Sequence, residues 1–407
     1  MVKRSLVVLM VLSTACATSS ADQKKDRSDT VASGDAASPL EGLERDMDAE
    51  YARSGQVLVL LDKGASLHFA SQYSESNATL SQAEARMKEV IPRTKVAGAP
   101  AGSTPASLEY SGPAYERLLI HLLRAVNDLF LSQPEVAVVE ARKAGTYLKA
   151  LQGGTAAMPM QGELLVAVLQ QLVNEDAGLT ADAAAAAKQA RSVAAKDPAK
   201  AQQVDPKALA TPMKKGEGEI VLIHYNGPAP RVEAQARQAS WAEAVAAVQA
   251  VGGEPVWAQV AAASAAGRRT DTISYARPTF AQDPHRIVAS RLVVKGKESP
   301  VQLAMDMSSL AKALLEDPSG SLRQRALARA TVRYLNGGDA GAGETDTRAW
   351  NTIASQIRIG HAHVPAGKQQ IEVVHMDSAG RVVSKETLKD VVVKAGKRTY
   401  LQVRTVL

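Results

Sequence analysis

The sequence predicts an α+β protein, with a helical-repeat region in its N-terminal half followed by a β-rich C-terminal region that carries helical insertions. Three observations point there. From Asp46 to about Pro198, apolar residues recur at helical spacing among abundant alanine. Within that stretch one pattern of small residues returns at a near-regular interval. After Lys214 the chain changes to short β-prone runs separated by turn residues.

The first sixteen residues read as an export signal. Lys3 and Arg4 precede an apolar run from Leu6 to Leu12, which is too short for a permanent membrane span. Ser13, Thr14 and Ala15 then lead into Cys16, the only cysteine, so cleavage before Cys16 and lipidation of its thiol are expected. No thiol then remains for a disulfide, a nucleophile or a thiolate metal site. Residues 17–40 are small, polar and charged and lack the apolar surface needed to order themselves. As a flexible tether they would reach roughly 25–30 Å as a coil, or about 80 Å when extended.

Residues 41–213 are assigned to the helical-repeat domain. Gly64, Leu67, Tyr73, Ser76, Leu80 and Ala83 occupy the small and apolar positions of a tetratricopeptide-like helix pair. About 61 positions later, Ala125, Ala137, Ala141 and Ala144 answer Gly64, Ser76, Leu80 and Ala83, with Pro134 in the place of Tyr73. A weaker third copy puts Gly178 at the turn, followed by Ala183, Ala187 and Ala190. Small side chains let paired helices approach closely, and larger ones fill the grooves between successive pairs. The Pro-, Gly- and Ser-rich segment from Lys95 to Gly112 is a long connection.

Residues 214–355 are expected to form a mixed α/β region and 356–407 an antiparallel meander. Strands are expected at 219–225, 272–275, 286–294, 356–363, 369–375, 391–394 and 399–406, and helices at 233–251 and 308–335. The overall charge of +6 is modest, although the last stretch is locally basic through Arg381, Lys385, Lys389, Lys394, Lys397, Arg398 and Arg404. No nucleic-acid recognition motif accompanies it.

Taken together, LLDKGASLHFASQY, ERLLIHLLRAVNDLFLSQPEVAVVEARKA, GEIVLIHYNGPAPR, RALARATVRYL, DTRAW, HVPAGKQQIEV and the terminal RVVSKETLKDVVVKAGKRTYLQVRTVL resemble a family of uncharacterised bacterial lipoproteins with tetratricopeptide-like repeats. The resemblance spans most of the mature chain and rests on the order of these degenerate motifs. It implies a lipid-anchored, envelope-facing protein. It supplies no activity and no catalytic residues.

Candidate chemistry is sparse. His361 and His363 form an H-x-H pair on one strand face, and His375 follows on the next strand. A hairpin there would set His375 opposite Arg358, and no carboxylate is clearly aimed at the pair, so these are taken as ordinary strand histidines and no metal or cofactor is assigned. Asn226, Gly227, Pro228 and Arg231 belong to a turn that fixes a sharp exit from a strand or presents a partner-binding loop. Arg325, Arg329 and Arg333 recur every fourth residue as one helical face, which is a solvated stripe or an anionic partner surface. Trp350 is expected to be a buried anchor between regions. No P-loop, dinucleotide fingerprint or G-x-S-x-G elbow is present, so the chain is not assigned as an enzyme.

The expected role is a lipid-anchored scaffold or adaptor of the cell envelope, periplasm-facing and preferentially at the outer membrane. It would hold an envelope protein partner through its helical repeats, with self-association possible and no nucleic-acid partner. The alternative is a cell-wall-binding or cell-wall-modifying protein whose site lies in the C-terminal half.

Overall fold

The computed structural model describes residues 56–95, 109–152, 160–196, 204–251, 253–267, 269–281, 285–315, 321–335, 337 and 345–407. Cys16, the 17–40 tether and most of the 95–112 connection lie outside the described residues. Among the described residues the protein is mixed α+β, with eleven helices and a nearly closed seven-stranded sheet. No described helix is long and apolar enough to cross a membrane.

The N-terminal part consists of three helical hairpins. They pair α1 (Gln56–Phe69) with α2 (Tyr73–Lys95), α3 (Ala114–Phe130) with α4 (Pro134–Gln152), and α5 (Met160–Asp176) with α6 (Thr180–Lys196). The small residues sit where close approach requires them. A Cβ on Gly64 would lie 2.5 Å from the Leu80 side chain, and Ala125, Ala137, Ala141 and Ala144 are all buried. All three turns use the same hydrogen bonds. Ser71, Ser132 and Gly178 have φ of 60°, 60° and 73°, and the following amides of Gln72, Gln133 and Leu179 donate back to the carbonyls of Leu67, Asp128 and Asn174. This is the six-to-one closure that ends a helix through one left-handed residue.

A four-residue helix, α7 (Pro206–Leu209), leads into the strands. These are β1 (Glu217–Asn226), β2 (Arg231–Ser240), β3 (Thr272–Ala281), β4 (Ala289–Val294), β5 (Lys297–Asp306), β6 (Gln356–Pro365), β7 (Gly367–Met376), β8 (Val382–Val393) and β9 (Arg398–Thr405). The large sheet runs β8-β7-β4-β5-β6-β1-β9, with β1 antiparallel to β6 and parallel to β9. β2 and β3 form a separate ribbon.

Alternation along β1 divides its side chains between two cores. Val221, Ile223 and Tyr225 join Leu58, Leu61, Leu118 and Trp350 between sheet and helices. Ile220 and Leu222 face the other way, with Leu292, Ile371, Val373 and Val403, into the interior of the curled sheet. A third core joins the β2–β3 ribbon to α8 (Trp241–Val251), α9 (Gly253–Ala265) and α11 (Ser321–Leu335). α10 (Met307–Leu315) packs with the first core through Met307, Leu310 and Ala311.

Three expectations are corrected. Residues 233–240 belong to β2 rather than to a helix; Val232, Ala234 and Ala236 alternate with Glu233, Gln235 and Arg237, a strand period hidden by the helix propensity of alanine. β5 was not expected at all. Residues 356–407 do not form a meander, because β4 and β5 separate β6 from β7, and β9 crosses to pair with β1. Ala366 N–H bonds Gly216 O and Gly367 has φ of 120°, so the chain bends out of β6 instead of reversing beside it. Only β7 and β8 remain a hairpin.

Trp350 is the expected buried anchor. Its backbone N–H donates to Glu116 Oε1 on α3 at 3.1 Å, and its indole N–H donates to Thr352 Oγ1 at 2.9 Å. Thr352 in turn donates to Asp62 Oδ1 on α1 at 3.1 Å. Burial, reinforced by the nearby Asp62 and Asp346 charges, raises the Glu116 carboxyl to about 8 despite the Tyr110 and Trp350 hydrogen bonds. Burial lowers His68, which bonds Asn127 Oδ1 at 2.6 Å, to about 4.

The folded state therefore binds a Glu116 proton that the unfolded state releases between about pH 4.5 and 8, so this group's contribution to stability falls progressively as pH rises through that window. His68 acts in the opposite sense, but only between about 4 and 6.5. Urea unfolding should thus show a Glu116-dependent fall in stability from pH 6.5 to 8. Glu116→Gln should flatten that fall and raise the midpoint at pH 8.5; an unchanged slope would refute the assignment.

Candidate functional site

The best-developed site lies where the helical layer meets the start of β1. Register places Glu219 directly opposite His363 on β6 and Arg398 on β9, with His361 diagonal to it on the same face. Glu219 is only 1% exposed, whereas the His361 and His363 side chains retain 23% and 18% exposure. Glu219 Oε1 lies 3.2 Å from His361 Nδ1 and 3.8 Å from His363 Nε2. Its other oxygen accepts a 2.7 Å bond from Arg398 Nε.

Arg398 then reaches the C-terminal end of α5, donating to Asp176 Oδ1 at 2.8 Å and to Glu175. Tyr400 O–H donates to Asp176 Oδ2 at 2.6 Å. Burial by itself would raise the Glu219 carboxyl, but the His361 hydrogen bond and the Arg398 charge outweigh it and hold the group below the usual carboxylate range. Burial would lower Arg398; the surrounding Tyr400, Glu219, Asp176 and Glu175 overcome that and raise its guanidinium well above its ordinary value.

The sequence reading missed this convergence. His361 and His363 do share a face, but their carboxylate comes from a strand 142 residues earlier, a pairing no local pattern shows. His375 lies elsewhere, paired in register with Ser290 of β4. Inside the curled sheet, Ser290 Oγ lies 2.9 Å from His375 Nδ1 and 3.3 Å from His224 Nδ1, and His224 Nε2 lies 2.8 Å from Thr405 Oγ1. Such a serine–histidine contact resembles a nucleophile and its base; here Ser290, His224 and His375 are all buried, and His375 Nε2 lies 3.6 Å from Glu386 Oε1, so the group forms a polar network within the core.

A cleft of about 640 Å³ opens beside the junction, between the ends of the helices and the connection from β8 to β9. Leu129, Phe130, Met213 and Val392 provide apolar lining, and Lys394 and Lys397 stand in the connection between β8 and β9. Glu175, Asp176 and Arg398 form part of the same wall.

The other sequence candidates divide. Asn226 is fully buried; its amide donates to Ile287 O and Gln356 Oε1, and its carbonyl oxygen accepts from Thr405. Gly227 has φ of 78°, and a Cβ there would fall onto the Ser355 hydroxyl. Arg404 clamps the turn by donating to Gly227 O at 2.8 Å and Thr405 O at 2.7 Å. Asn226 and Gly227 thus hold the exit from β1, the first of the two roles the turn offered, and Pro228 beside them is half-buried. Arg231 is exposed at the start of β2, 3.7 Å from Glu233. Arg325 and Arg329 are exposed and Arg333 is half-buried on α11, so the stripe sits on the ribbon lobe, away from the cleft lining. Arg323 is held to Glu243 at 2.7 Å, as expected for a different face. Cys16 lies outside the described residues.

No family profile, no curated protein and no solved structure matches this chain.

Gly227→Ala should lower stability by about 1–3 kcal/mol through backbone strain alone, with an added cost for displacing Ser355. Pro228→Ala, which leaves the left-handed residue in place, should cost less. Chemical denaturation of both variants checks the order, and equal stabilities would show that the turn is not locked.

Proposed function

We propose that this chain is a non-enzymatic, lipid-anchored scaffold of the cell envelope that holds a protein partner. Cys16 is the anchor, residues 17–40 are the tether, and the folded body faces the periplasm, with the outer membrane as the preferred site. The tetratricopeptide-like repeats supply the docking layer. The observation that carries this reading is the cleft, because its walls come jointly from the helical hairpins and the connection from β8 to β9. A partner seated there would contact both halves of the chain at once. Leu129, Phe130, Met213 and Val392 suit apolar side chains of an extended segment or helix end, while Lys394 and Lys397 favour a partner bearing acidic residues.

The sealed Ser290–His375 pair also favours binding over catalysis. An anionic wall polymer is the second reading, supported by the same two lysines.

Crosslinking in intact cells, with mass spectrometry of both linked peptides, tests the proposal. Links from Lys394 and Lys397 to one envelope protein are expected. The double variant Lys394→Glu/Lys397→Glu should reduce that capture roughly tenfold, with a smaller loss at high salt. Links to wall material alone would support the polymer reading, and links only between copies of this chain would contradict both.

A further inference from the structure

We infer that Glu219, His361 and His363 form a binding site for a divalent cation of zinc type, with an open position facing solvent. The inference stands apart from the docking proposal, since neither histidine lines the cleft.

The three donor atoms lie within 4.8 Å of one another. A tetrahedral zinc ion with bonds of about 2.0–2.1 Å to nitrogen and oxygen sets its donors roughly 3.3 Å apart. The His361–Glu219 distance of 3.2 Å already meets this, and the His363–Glu219 distance of 3.8 Å needs an adjustment of about half an ångström, a small rotation of a side chain that keeps 18% exposure. The rings stand 6.2 Å apart at 77°, so neither blocks the other by stacking.

Two further features point to a cation. His363 Nε2 is buried and has no hydrogen-bond partner, although it is directed towards Glu219. A ligand position would satisfy this nitrogen, whose unmet bonding otherwise carries a desolvation cost. Charge balance agrees. Arg398 is shared among the three carboxylates of Glu219, Glu175 and Asp176, so this one guanidinium does not balance the negative charge it meets. Because Arg398 engages Oε2, the oxygen facing the histidines remains available, and the same bond fixes its direction as an outer partner does in established metal sites. Two imidazoles and one carboxylate, with a fourth position left for water, match the donor set of open zinc sites.

The test is zinc titration of the purified protein against a chromogenic chelator, with cobalt as an optical substitute. One equivalent of zinc should bind, the cobalt form should show the visible bands of four-coordinate nitrogen and oxygen ligation, and zinc should raise the melting temperature. His361→Ala and His363→Ala should each weaken binding by roughly 10- to 100-fold or more. X-ray absorption of the zinc-loaded wild type needs no variant, and should report two imidazoles in the first coordination sphere. Binding that survives in the double histidine variant, or an absorption spectrum without imidazole, would overturn the assignment.

Discussion

The carboxylate of Glu219, all but removed from water, constrains the junction around it. An isolated buried charge is too costly to keep, so the fold must bring it compensation from outside β1. Arg398 arrives through the parallel β1–β9 pairing, and His361 and His363 arrive through β6. Arg398 brings its own burden of burial, which Glu175, Asp176 and Tyr400 share. The acids occupy the last two positions of α5, where the helix dipole disfavours negative charge, and the guanidinium offsets that as well. One buried charge thus fixes the relation of two strands and a helix end.

The same economy recurs along β1. Because both of its faces are covered, it belongs to two cores, and neither the helical layer nor the curled sheet has a complete apolar surface without it. Its far end is held by polar groups instead. Asn226, Thr405, Gln356 and Arg404 close the exit through backbone and side-chain bonds, and His224, Ser290 and His375 continue that network inward. Such a network is compatible with one register and not with a slip, since a shift of one residue would move every member to the wrong face. The ribbon lobe, which carries the arginine stripe, has its own core.

Local chemistry made some of this legible in the sequence. Gly64, Ala125, Ala137 and Ala144 marked close helix contacts because only small side chains fit there, and Trp350 announced a buried joint by its size. Ser71 and Ser132 gave no sign of the left-handed turns they form, since serine is not the usual residue for that conformation. Alanine disguised β2 as a helix. Pairings between distant strands were the larger obstacle: the H-x-H pair was visible, but its carboxylate partner depends on β1–β6 register, and β6–β7 adjacency failed because two strands from earlier in the chain lie between them. The turn at Asn226 and Gly227 was visible as a special backbone position, but the bonds that hold it, to Ile287, Gln356 and Thr405, come from distant segments that no local pattern shows.

The central claim is that Glu219 organises the junction while presenting one oxygen to His361 and His363. A crystal structure of the zinc-soaked protein, with diffraction recorded on both sides of the zinc absorption edge, tests it most directly. The account predicts an anomalous peak bounded by Glu219 Oε1, His361 Nδ1 and His363 Nε2, with Arg398 still bonded to Oε2. A Glu219 side chain turned away from the histidines, or a peak elsewhere with this triad unchanged, would contradict it.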